Sequence, residues 1–414
     1  VAAGTYIPGT NRTDTFQLKS WVGLYGGFNG TENTRDQRDW TNNLSILSGD
    51  VLGDDVGFSN NAENVYHVVT SGTNTGIDGF TMRSGNANGS NPDNCGGGLY
   101  ATAKFVARNC VYCGNVASYG GGGIYDSSAD SLVTDSVLCG NSAGYGGGLW
   151  WGPMPKQLRS CVIAGNAAHP GGGGMYNRSR YGQVISSTLS GNLASLGGGV
   201  LNDSAGVMQL LNCTFSDNRS VAVANANSSA AIMTNCVFWR NSTLEIFNIG
   251  STSEVSHCDV FGGWNGICVS NAGASTTTDG GGNIHGDPLY LGGTNGIWTT
   301  NPTFINDRFQ SLLCDTNASW IANELQGEFV QPDTNSVLQY LIVSNSAASL
   351  AVWGDLQTNT LNGRPYRIHD YHLQSKAGHW ESGMGIWTND AVTSPCIDAG
   401  DPASVYTNES APNG

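Results

Sequence analysis

The pattern of apolar and polar residues repeats along the middle of the chain with a period of about 25 residues. Runs of glycine recur, and the apolar residue that follows each run marks the same point of the repeat. The steps between these residues are 25, 25, 26 and 25 positions. They are Leu99, Ile124, Leu149, Met175 and Val200. A constant period of this length over several units indicates a solenoid.

Short segments within each repeat have the pattern of β-strands. The triplets "CVY" (110–112), "SVL" (136–138) and "CVI" (161–163) place a β-branched residue between small or apolar neighbours. Alternation of β-branched residues with a period of two is typical of strands and not of helices. Strands of this length, separated by Gly and Asn turns in a coil of about 25 residues, predict an all-β fold, a right-handed parallel β-helix.

An asparagine follows each strand triplet and forms a column with the period of the coil. Its predicted members are Asn86, Asn115, Asn141, Asn166, Asn192, Asn218 and Asn241. Stacked side-chain amides can hydrogen-bond between coils and satisfy turn groups that would otherwise be buried without partners. We therefore predict an asparagine ladder. The glycine runs are predicted to form one corner of each coil, where the backbone has a positive φ or approaches the next coil closely.

Many of the eleven cysteines belong to another column of small residues, which the alternation directs inward. The column consists of Cys110, Ser136, Cys161, Ser187, Cys213, Cys236 and Cys258. Metal ligands converge on a point, whereas a column forms a line, so we expect inert core thiols. Cross-links between Cys113 and Cys139, or between Cys258 and Cys268, remain alternatives that the count of cysteines does not decide.

The regularity of the repeat divides the chain into four segments. We predict irregular N-terminal coils over 1–64 and the regular β-helix over 65–297. The glycine landmarks vanish in 298–363, which is predicted to be an insert or a capping unit that covers the open end of the solenoid. Short strands resume in 364–414 and are expected to pack on the solenoid.

Composition limits the classes of partner that the chain can bind and indicates the compartment in which it is found. The net charge of −15 disfavours nucleic acid and anionic membrane surfaces, and the 39% hydrophobic content argues against disorder. No apolar run approaches the ~20 residues of a membrane span. The chain begins at Val1 without a leader, so we expect a removed signal peptide or a longer parent protein. An extracellular or cell-surface location follows from these expectations.

Segments near both ends carry a resemblance to a known family. "GLYGGFNGTE" (23–32), "GNIHGDPLY" (282–290) and "SPCIDAGDP" (394–402) resemble the secreted right-handed parallel β-helix proteins of the choice-of-anchor Q type. The glycine runs followed by Gly-Asn are also similar to repeats of chlamydial polymorphic outer-membrane proteins. The resemblance implies a pectate-lyase-like β-helix at a cell surface, and it implies no particular activity.

No set of residues predicts catalysis. A polysaccharide lyase or glycoside hydrolase on this fold needs carboxylates, and for a lyase a basic residue, at equivalent positions of successive coils. Asp126 instead shares its column with Trp151 and Asn177, and Lys104 and Arg108 share no column with a carboxylate. We assign no catalytic residue and expect a non-catalytic protein, with a lyase or hydrolase as the alternative.

The histidines and acids predict neither a metal site nor a cofactor. His369 and His372 would face opposite sides of a strand, which argues against shared ligation. Asp287 in the "GNIHGDPLY" segment is expected to cap turn amides. A calcium ion held by Asp279, Asp287 and nearby carbonyls is the alternative to that capping role.

An aromatic column is the predicted binding site. Each member follows the inward apolar landmark directly, so alternation directs it outward, and Trp151 adds a second indole. The stripe comprises Tyr100, Tyr125, Trp150, Trp151 and Tyr176. An exposed aromatic stripe can stack on sugar rings or dock a partner.

The predicted function is therefore a rigid surface rod that acts in adhesion, in envelope structure or in an extracellular filament. Its partner would be a glycan or a neighbouring subunit on the aromatic stripe. Head-to-tail self-association through open strand edges is a further expectation.

Overall fold

The computed structural model describes residues 1–242, 244–263, 268–291, 293–381, 386–397 and 399–400. Within these residues the chain winds into a parallel β-helix whose long faces are three ten-stranded parallel sheets. A fourth parallel sheet of five short strands forms a corner. The structure confirms the predicted fold class. Residues 401–414, the end of the predicted C-terminal segment, lie outside the described residues.

Each long sheet takes one strand from every coil, and we name the sheets by their outer surfaces. The aromatic sheet contains Phe16–Gln17, Val69–Thr70, Leu99–Ala101, Ile124–Asp126, Leu149–Trp151, Met175–Asn177, Val200–Asn202, Val221–Ala226, Leu244–Ile249 and Val269–Ala272. The glutamine sheet contains Gly23–Tyr25, Thr75–Asp78, Phe105–Arg108, Ser131–Thr134, Lys156–Arg159, Gly182–Ile185, Val207–Leu211, Ala230–Thr234, Thr252–Ser256 and Thr276–Asp279. The interface sheet contains Gly4–Tyr6, Ser45–Ser48, Phe80–Arg83, Val111–Cys113, Val137–Cys139, Val162–Ala164, Thr188–Ser190, Thr214–Ser216, Val237–Trp239 and Asp259–Val260.

The remaining elements are short or antiparallel. The corner sheet contains Asn86–Ala87, Val116–Gly120, Ser142–Tyr145, Ala167–Gly171 and Leu193–Leu196. A seven-stranded antiparallel sheet, which we call the lateral module, contains Asn295–Ile297, Thr303–Ile305, Gln310–Cys314, Phe329–Gln331, Tyr340–Asn345, Ser349–Trp353 and Pro365–His369. A hairpin joins His379–Glu381 to Ile386–Thr388, and 3-10 turns occupy Arg35–Gln37 and Asn306–Arg308.

The sequence period becomes vertical stacking in the β-helix. Ile124 pairs in register with Leu99 on one side and with Leu149 on the other. All three side chains are fully buried in the core that fills the solenoid. Residues one period apart are therefore direct neighbours across parallel strands, as the sequence predicts.

The glycine runs occupy the corner that leads into the aromatic sheet, and their positions have different requirements. Gly146 has a φ of +63°, which L side chains rarely adopt. The next glycine needs space instead, because a Cβ on Gly147 would lie 2.3 Å from the carbonyl oxygen of Ala167. The run therefore combines a left-handed turn with close approach of successive coils.

The asparagine column forms the predicted ladder. The side-chain amide of Asn141 donates to Oδ1 of Asn166 at 3.0 Å, and the same oxygen accepts the backbone N–H of Asn141 at 3.0 Å. The same double contact repeats from Asn115 to Asn241. Each rung thus satisfies one backbone donor and one amide donor of the preceding coil.

Asn86 is not part of this ladder, which corrects one member of the predicted column. Asn86 pairs in register with Val116, one residue beyond the ladder position. Its neighbour Gly85 precedes the first rung, and the N–H of Gly85 donates to Oδ1 of Asn115 at 3.0 Å. The landmark pair Gly-Asn is therefore shifted by one residue in this coil relative to the others.

A glutamate ends the ladder at its C-terminal side. Both the backbone N–H and the side-chain amide of Asn241 donate to the carboxyl group of Glu245, which is fully buried. Burial raises the pKa of Glu245 to about 8. Glu245 therefore takes the place of a further asparagine rung.

A second amide ladder lies inside the aromatic sheet and was not predicted. Asn177 donates to Asn202 at 2.8 Å, and Asn202 donates to Asn225 at 2.9 Å. The ladder continues through Asn248 to Asn271. The earlier coils fill the same interior column with Asp126 and Trp151.

The column of small residues also lies inside the solenoid. Cys110, Cys161, Cys213, Cys236 and Cys258 are all buried, and the backbone N–H of Cys110 donates to Oγ of Ser136 at 3.1 Å. All eleven cysteines are free thiols in the structure. Cys113 and Cys139 are in-register neighbours on the outer face of the interface sheet.

The lateral module packs against the side of the solenoid. Phe309 and Trp353 cover the thiols of Cys113 and Cys139, and Tyr371 Oη donates to Oδ2 of Asp217 at 2.9 Å. These contacts fall on middle coils of the interface sheet, whereas we expected the segment 298–363 to cover the open end. The apolar outer surface at the cysteine pair explains the position, because it would otherwise be exposed to water. Among the described residues, no helix is long and apolar enough to span a membrane.

Candidate functional site

The predicted aromatic stripe forms a stack of rings that contact one another. Tyr100 lies on Tyr125 with ring centroids 5.5 Å apart, and Tyr125 lies on Trp150 at 4.2 Å. The ring planes differ by 14° and 12°, so these contacts are face to face. His67 extends the stack beyond Tyr100 at 4.8 Å. Because the ring faces are occupied by neighbouring rings, mainly ring edges remain for solvent or for a ligand.

The C-terminal half of the stripe is buried rather than exposed. Trp150 and Tyr176 are 3% and 7% exposed, respectively. The indole of Trp150 lies over the glycine corner, because a Cβ on Gly120 would be 2.9 Å from its Cδ1. Tyr176 Oη donates to Oδ2 of Asp203 at 2.7 Å. Tyr100 and Tyr125 are half-buried, so the stripe lacks the flat exposed platform that the alternation predicted.

Trp151 does not belong to the stripe, which corrects the prediction that it adds a second indole. It follows Trp150 directly in the same strand and therefore points to the opposite face. Its side chain is fully buried in the solenoid core.

Asp279 and Asp287, the ligands of the alternative calcium site, have local hydrogen-bond partners. Asp279 Oδ1 accepts the N–H of Gly281 at 2.9 Å and the amide of Asn283 at 2.7 Å. Asp287 Oδ1 accepts the N–H of Leu289 at 2.9 Å. Both carboxylates therefore cap turns, which is the role that the sequence analysis expected for Asp287.

His369 and His372 have separate acidic partners. The ring of His369 lies 3.7 Å from Asp217 of the solenoid, whereas the ring of His372 contacts Asp370 at 2.6 Å. Burial lowers the pKa of His369 to about 4, so this ring is neutral at physiological pH. The pair does not converge on a shared site.

A row of glutamines on the outer face of the glutamine sheet forms the floor of a groove that the sequence analysis missed. Gln157, Gln183 and Gln209 are in-register neighbours on three successive coils. Nε2 of Gln157 donates to Oε1 of Gln183 at 2.7 Å, and Nε2 of Gln183 donates to Oε1 of Gln209 at 2.8 Å. Leu132 precedes the row in the same column. Their spacing of 26 residues equals the coil length and was a signal available in the sequence.

The corner before this sheet supplies one wall of the groove. Asp130, Pro155 and Tyr181 line it beside the glutamine row, together with Val207 at the start of its strand, and the open groove has a volume of about 500 Å³. Tyr181 is 71% exposed, so its ring is accessible from solvent. The groove thus combines a row of amides with one freely accessible aromatic ring.

The groove is nearly uncharged because its one lysine turns inward. Lys156 lines the groove with its backbone, while its ammonium lies 3.5 Å from Asp126 and both side chains are fully buried in the solenoid. Burial lowers the pKa of Lys156 and raises the pKa of Asp126. Among the lining residues, Asp130 is left as the exposed ionisable carboxylate.

These features define the chain as a parallel β-helix with a lateral antiparallel module and an amide-lined groove. A protein-family model described as "Disaggregatase related" matches residues 329–400, which belong to the module and the tail. No curated protein matches the chain at a significant level.

Two solved structures match the chain over most of its length. One is a tailspike protein gp49 from Acinetobacter baumannii bacteriophage Fri1, described as a capsular polysaccharide depolymerase. It is 11% identical, with a TM-score of 0.33, and the match covers 88% of this chain and 79% of that one. The tailspike protein gp49 from Pseudomonas phage LKA1 is 11% identical with a TM-score of 0.27, over 86% and 66% of the two chains. Neither a fold assignment nor a residue role is transferred from these two matches.

Proposed function

We propose that this protein binds an extended, neutral polysaccharide along the glutamine groove and acts as a carbohydrate-binding β-helix at an extracellular or cell surface. The observation that carries the proposal is the outward row of three hydrogen-bonded glutamine amides beside the exposed ring of Tyr181. The site differs from the predicted aromatic stripe, whose ring faces are already stacked on one another.

The chemistry of the amide row matches that of sugar hydroxyls. Each glutamine offers both a donor and an acceptor, as each hydroxyl does. Within the part of the chain that the structure describes, Gln157 Oε1 and the amide nitrogen of Gln209 have no protein partner. The two ends of the row are therefore open to a ligand. Tyr181 adds an apolar face for the C–H side of a sugar ring.

Charge favours a neutral ligand over an acidic one. The groove lining exposes the carboxylate of Asp130, while the ammonium of Lys156 is buried. The whole chain carries a net charge of −15, which repels polyanions.

We also propose that the groove is non-catalytic. Glycoside hydrolysis needs two carboxyl groups that flank the scissile bond, and the lining residues expose one. Incubation with each bound polysaccharide, followed by assays for reducing ends and for unsaturated products, tests this part. Release of either product would favour the lyase or hydrolase alternative. Adhesion and head-to-tail filament assembly remain predictions for this surface protein.

The binding experiment compares two candidate surfaces in one protein. Affinity electrophoresis against a panel of neutral polysaccharides identifies ligands, and isothermal titration measures the effect of variants. We expect Gln183→Ala and Tyr181→Ala each to weaken binding about tenfold, the loss of roughly one direct polar or stacking contact. Tyr125→Ala is the matched control on the aromatic sheet and should bind as the wild type does.

The outcomes separate the alternatives. Loss of binding in Tyr125→Ala, with no change in the groove variants, would indicate that the ligand binds the aromatic stripe and not the groove. Absence of binding to every neutral polysaccharide, or full affinity in both groove variants, would refute the proposed function.

A further inference from the structure

The glutamine groove repeats the same two contacts on three successive coils. Each of these coils places a glutamine on the outer face of the sheet and an apolar or aromatic residue, which we call the wall residue, two positions before it. The pairs are Pro155 with Gln157, Tyr181 with Gln183, and Val207 with Gln209. The backbone N–H of Lys156 donates to the carbonyl oxygen of Tyr181 at 3.3 Å, so the wall positions stack from coil to coil as the glutamines do. The groove is therefore a periodic surface whose repeat is one coil.

The amides of the row keep hydrogen-bonding capacity for a ligand. A carboxamide has two N–H donors and an oxygen with two lone pairs. Gln183 donates one N–H to Gln209 at 2.8 Å and accepts one bond from Gln157 at 2.7 Å. In the part of the chain that the structure describes, the second N–H and the second lone pair of Gln183 have no protein partner. Each coil thus offers at least one donor and one acceptor beside its wall residue.

The repeat stops at both ends of the groove. In the preceding coil Leu132 occupies the column of the row and pairs in register with Gln157. In the following coil Ile232 pairs in register with Gln209 and is 38% exposed. Neither flanking side chain can hydrogen-bond to a hydroxyl group. The row therefore spans three coils, and at a strand spacing of about 4.8 Å its outer members are about 10 Å apart.

We infer that the groove binds a β-1,4-linked chain of neutral hexopyranoses, with one ring on each of the three glutamine coils. This inference rests on the proposed function and specifies its ligand. A periodic site fits a ligand of the same repeat, because each further ring then meets the same donor, acceptor and wall contact. Equatorial β-1,4 bonds extend such a chain into a flat ribbon, and its advance per ring is close to the strand spacing of about 4.8 Å.

The two contacts of each coil match the two sides of a pyranose ring. The C–H face of the ring is apolar and would lie against the wall residue, with the largest contact on the exposed ring of Tyr181. Successive rings of the ribbon turn opposite edges to the glutamines, and both edges carry hydroxyls that donate and accept. Chains with α-1,4 or β-1,3 bonds curve into helices, so their rings would leave the straight row.

The test measures affinity against linkage and chain length. Isothermal titration uses the full chain with cello- and manno-oligosaccharides of two to five rings, and with laminari- and malto-oligosaccharides of the same lengths. In at least one of the two β-1,4 series we expect affinity to rise about tenfold per ring up to three rings and by less than about twofold beyond. The β-1,3 and α-1,4 series should bind at least about tenfold more weakly at three rings.

A variant that extends the row should gain affinity for a longer chain. Ile232→Gln adds a fourth amide beside Gln209, so affinity should rise up to four rings. The tetrasaccharide should bind the variant about fivefold more tightly than the wild type, the effect of roughly one hydrogen bond. Ile185→Gln is the matched control, because Ile185 lies on the same sheet face but in the column beside the row and outside the groove lining. It should leave the limit at three rings, and circular dichroism checks that both variants fold.

The outcomes separate this inference from the proposed function. Binding that ignores linkage, or a limit at another chain length in the wild type, would overturn the placement of one ring per coil while the groove remains a carbohydrate site. An unchanged limit in a folded Ile232→Gln variant would overturn it as well. Absence of binding to every neutral polysaccharide and oligosaccharide would refute the proposed function and, with it, this inference.

Discussion

Replacement of one ladder asparagine tests the mechanism that joins the coils. Asn166 is fully buried, and its Oδ1 accepts the backbone N–H and the side-chain amide of Asn141, both at 3.0 Å. Its Nδ2 donates to the carbonyl oxygen of Leu138 at 2.8 Å and to Oδ1 of Asn192 at 3.1 Å. A fifth contact joins its Nδ2 to the carbonyl oxygen of Ala164 at 3.2 Å. The substitution Asn166→Ala removes all five contacts while keeping the backbone bonds of residue 166.

The losses are unequal because some partners keep other bonds. The amide of Asn141 still donates to the carbonyl oxygen of Tyr112, and Oδ1 of Asn192 still accepts the N–H of residue 166. The backbone N–H of Asn141 is left buried without an acceptor, which costs about 1–3 kcal/mol. The other lost bonds contribute about 0.5–1.5 kcal/mol each, and less where the partner keeps another bond. We expect the free energy of unfolding to fall by about 3–5 kcal/mol, with the small cavity included.

Urea unfolding followed by both circular dichroism and tryptophan fluorescence measures this loss. Coincidence of the two signals checks that the solenoid unfolds cooperatively, since repeat proteins can lose cooperativity. Asn362→Ala, at an exposed position of the lateral module, is the control and should change stability by less than about 0.5 kcal/mol. A loss below about 1 kcal/mol in Asn166→Ala would refute the argument that the ladder satisfies otherwise unpaired turn amides.

Three further substitutions test the interior of the solenoid. Glu245 has a folded pKa of about 8, above its ordinary value of 4.5, so its contribution to stability is complete below pH 4.5 and is lost as the pH rises through 8. In urea titrations, the free energy of unfolding of the wild type should therefore fall by about 3–5 kcal/mol between pH 5 and 9. Glu245→Gln should abolish this fall, and an unchanged pH profile in the variant would contradict the reasoning. Gly147→Ala places a Cβ 2.3 Å from a carbonyl oxygen and should lower Tm by several degrees or prevent folding, whereas Gly76→Ala, whose Cβ would meet its nearest atom at 3.6 Å, should have little effect. Lys156→Met leaves Asp126 buried without its cation and should cost about 3–5 kcal/mol at pH 7, and Asp126→Leu added to it should recover part of the loss if the pair is the cause.

Features that repeat with the coil were predictable from the chain alone. In a solenoid, residues one period apart become vertical neighbours. The asparagine ladder from Asn115 to Asn241 and the glycine corner therefore follow from the spacing of these residues in the sequence. The error at Asn86 has a local cause, since the coil that contains it places Gly85 in the ladder position. The glutamine row had the same spacing signal, but an outward polar column looks like ordinary solvated surface until its amides are seen to bond to one another.

Only the tertiary structure shows what surrounds a side chain that points out of the core. Alternation directs Tyr125 and Trp150 out of the core, but it does not say whether such rings meet water or one another, and stacking buries ring faces that water would otherwise cover. The position of the lateral module depends on contacts such as that of Gly57 with Asp355, 298 residues apart. Contacts of that range follow no period, because they depend on how two surfaces fit and not on the repeat that builds one of them.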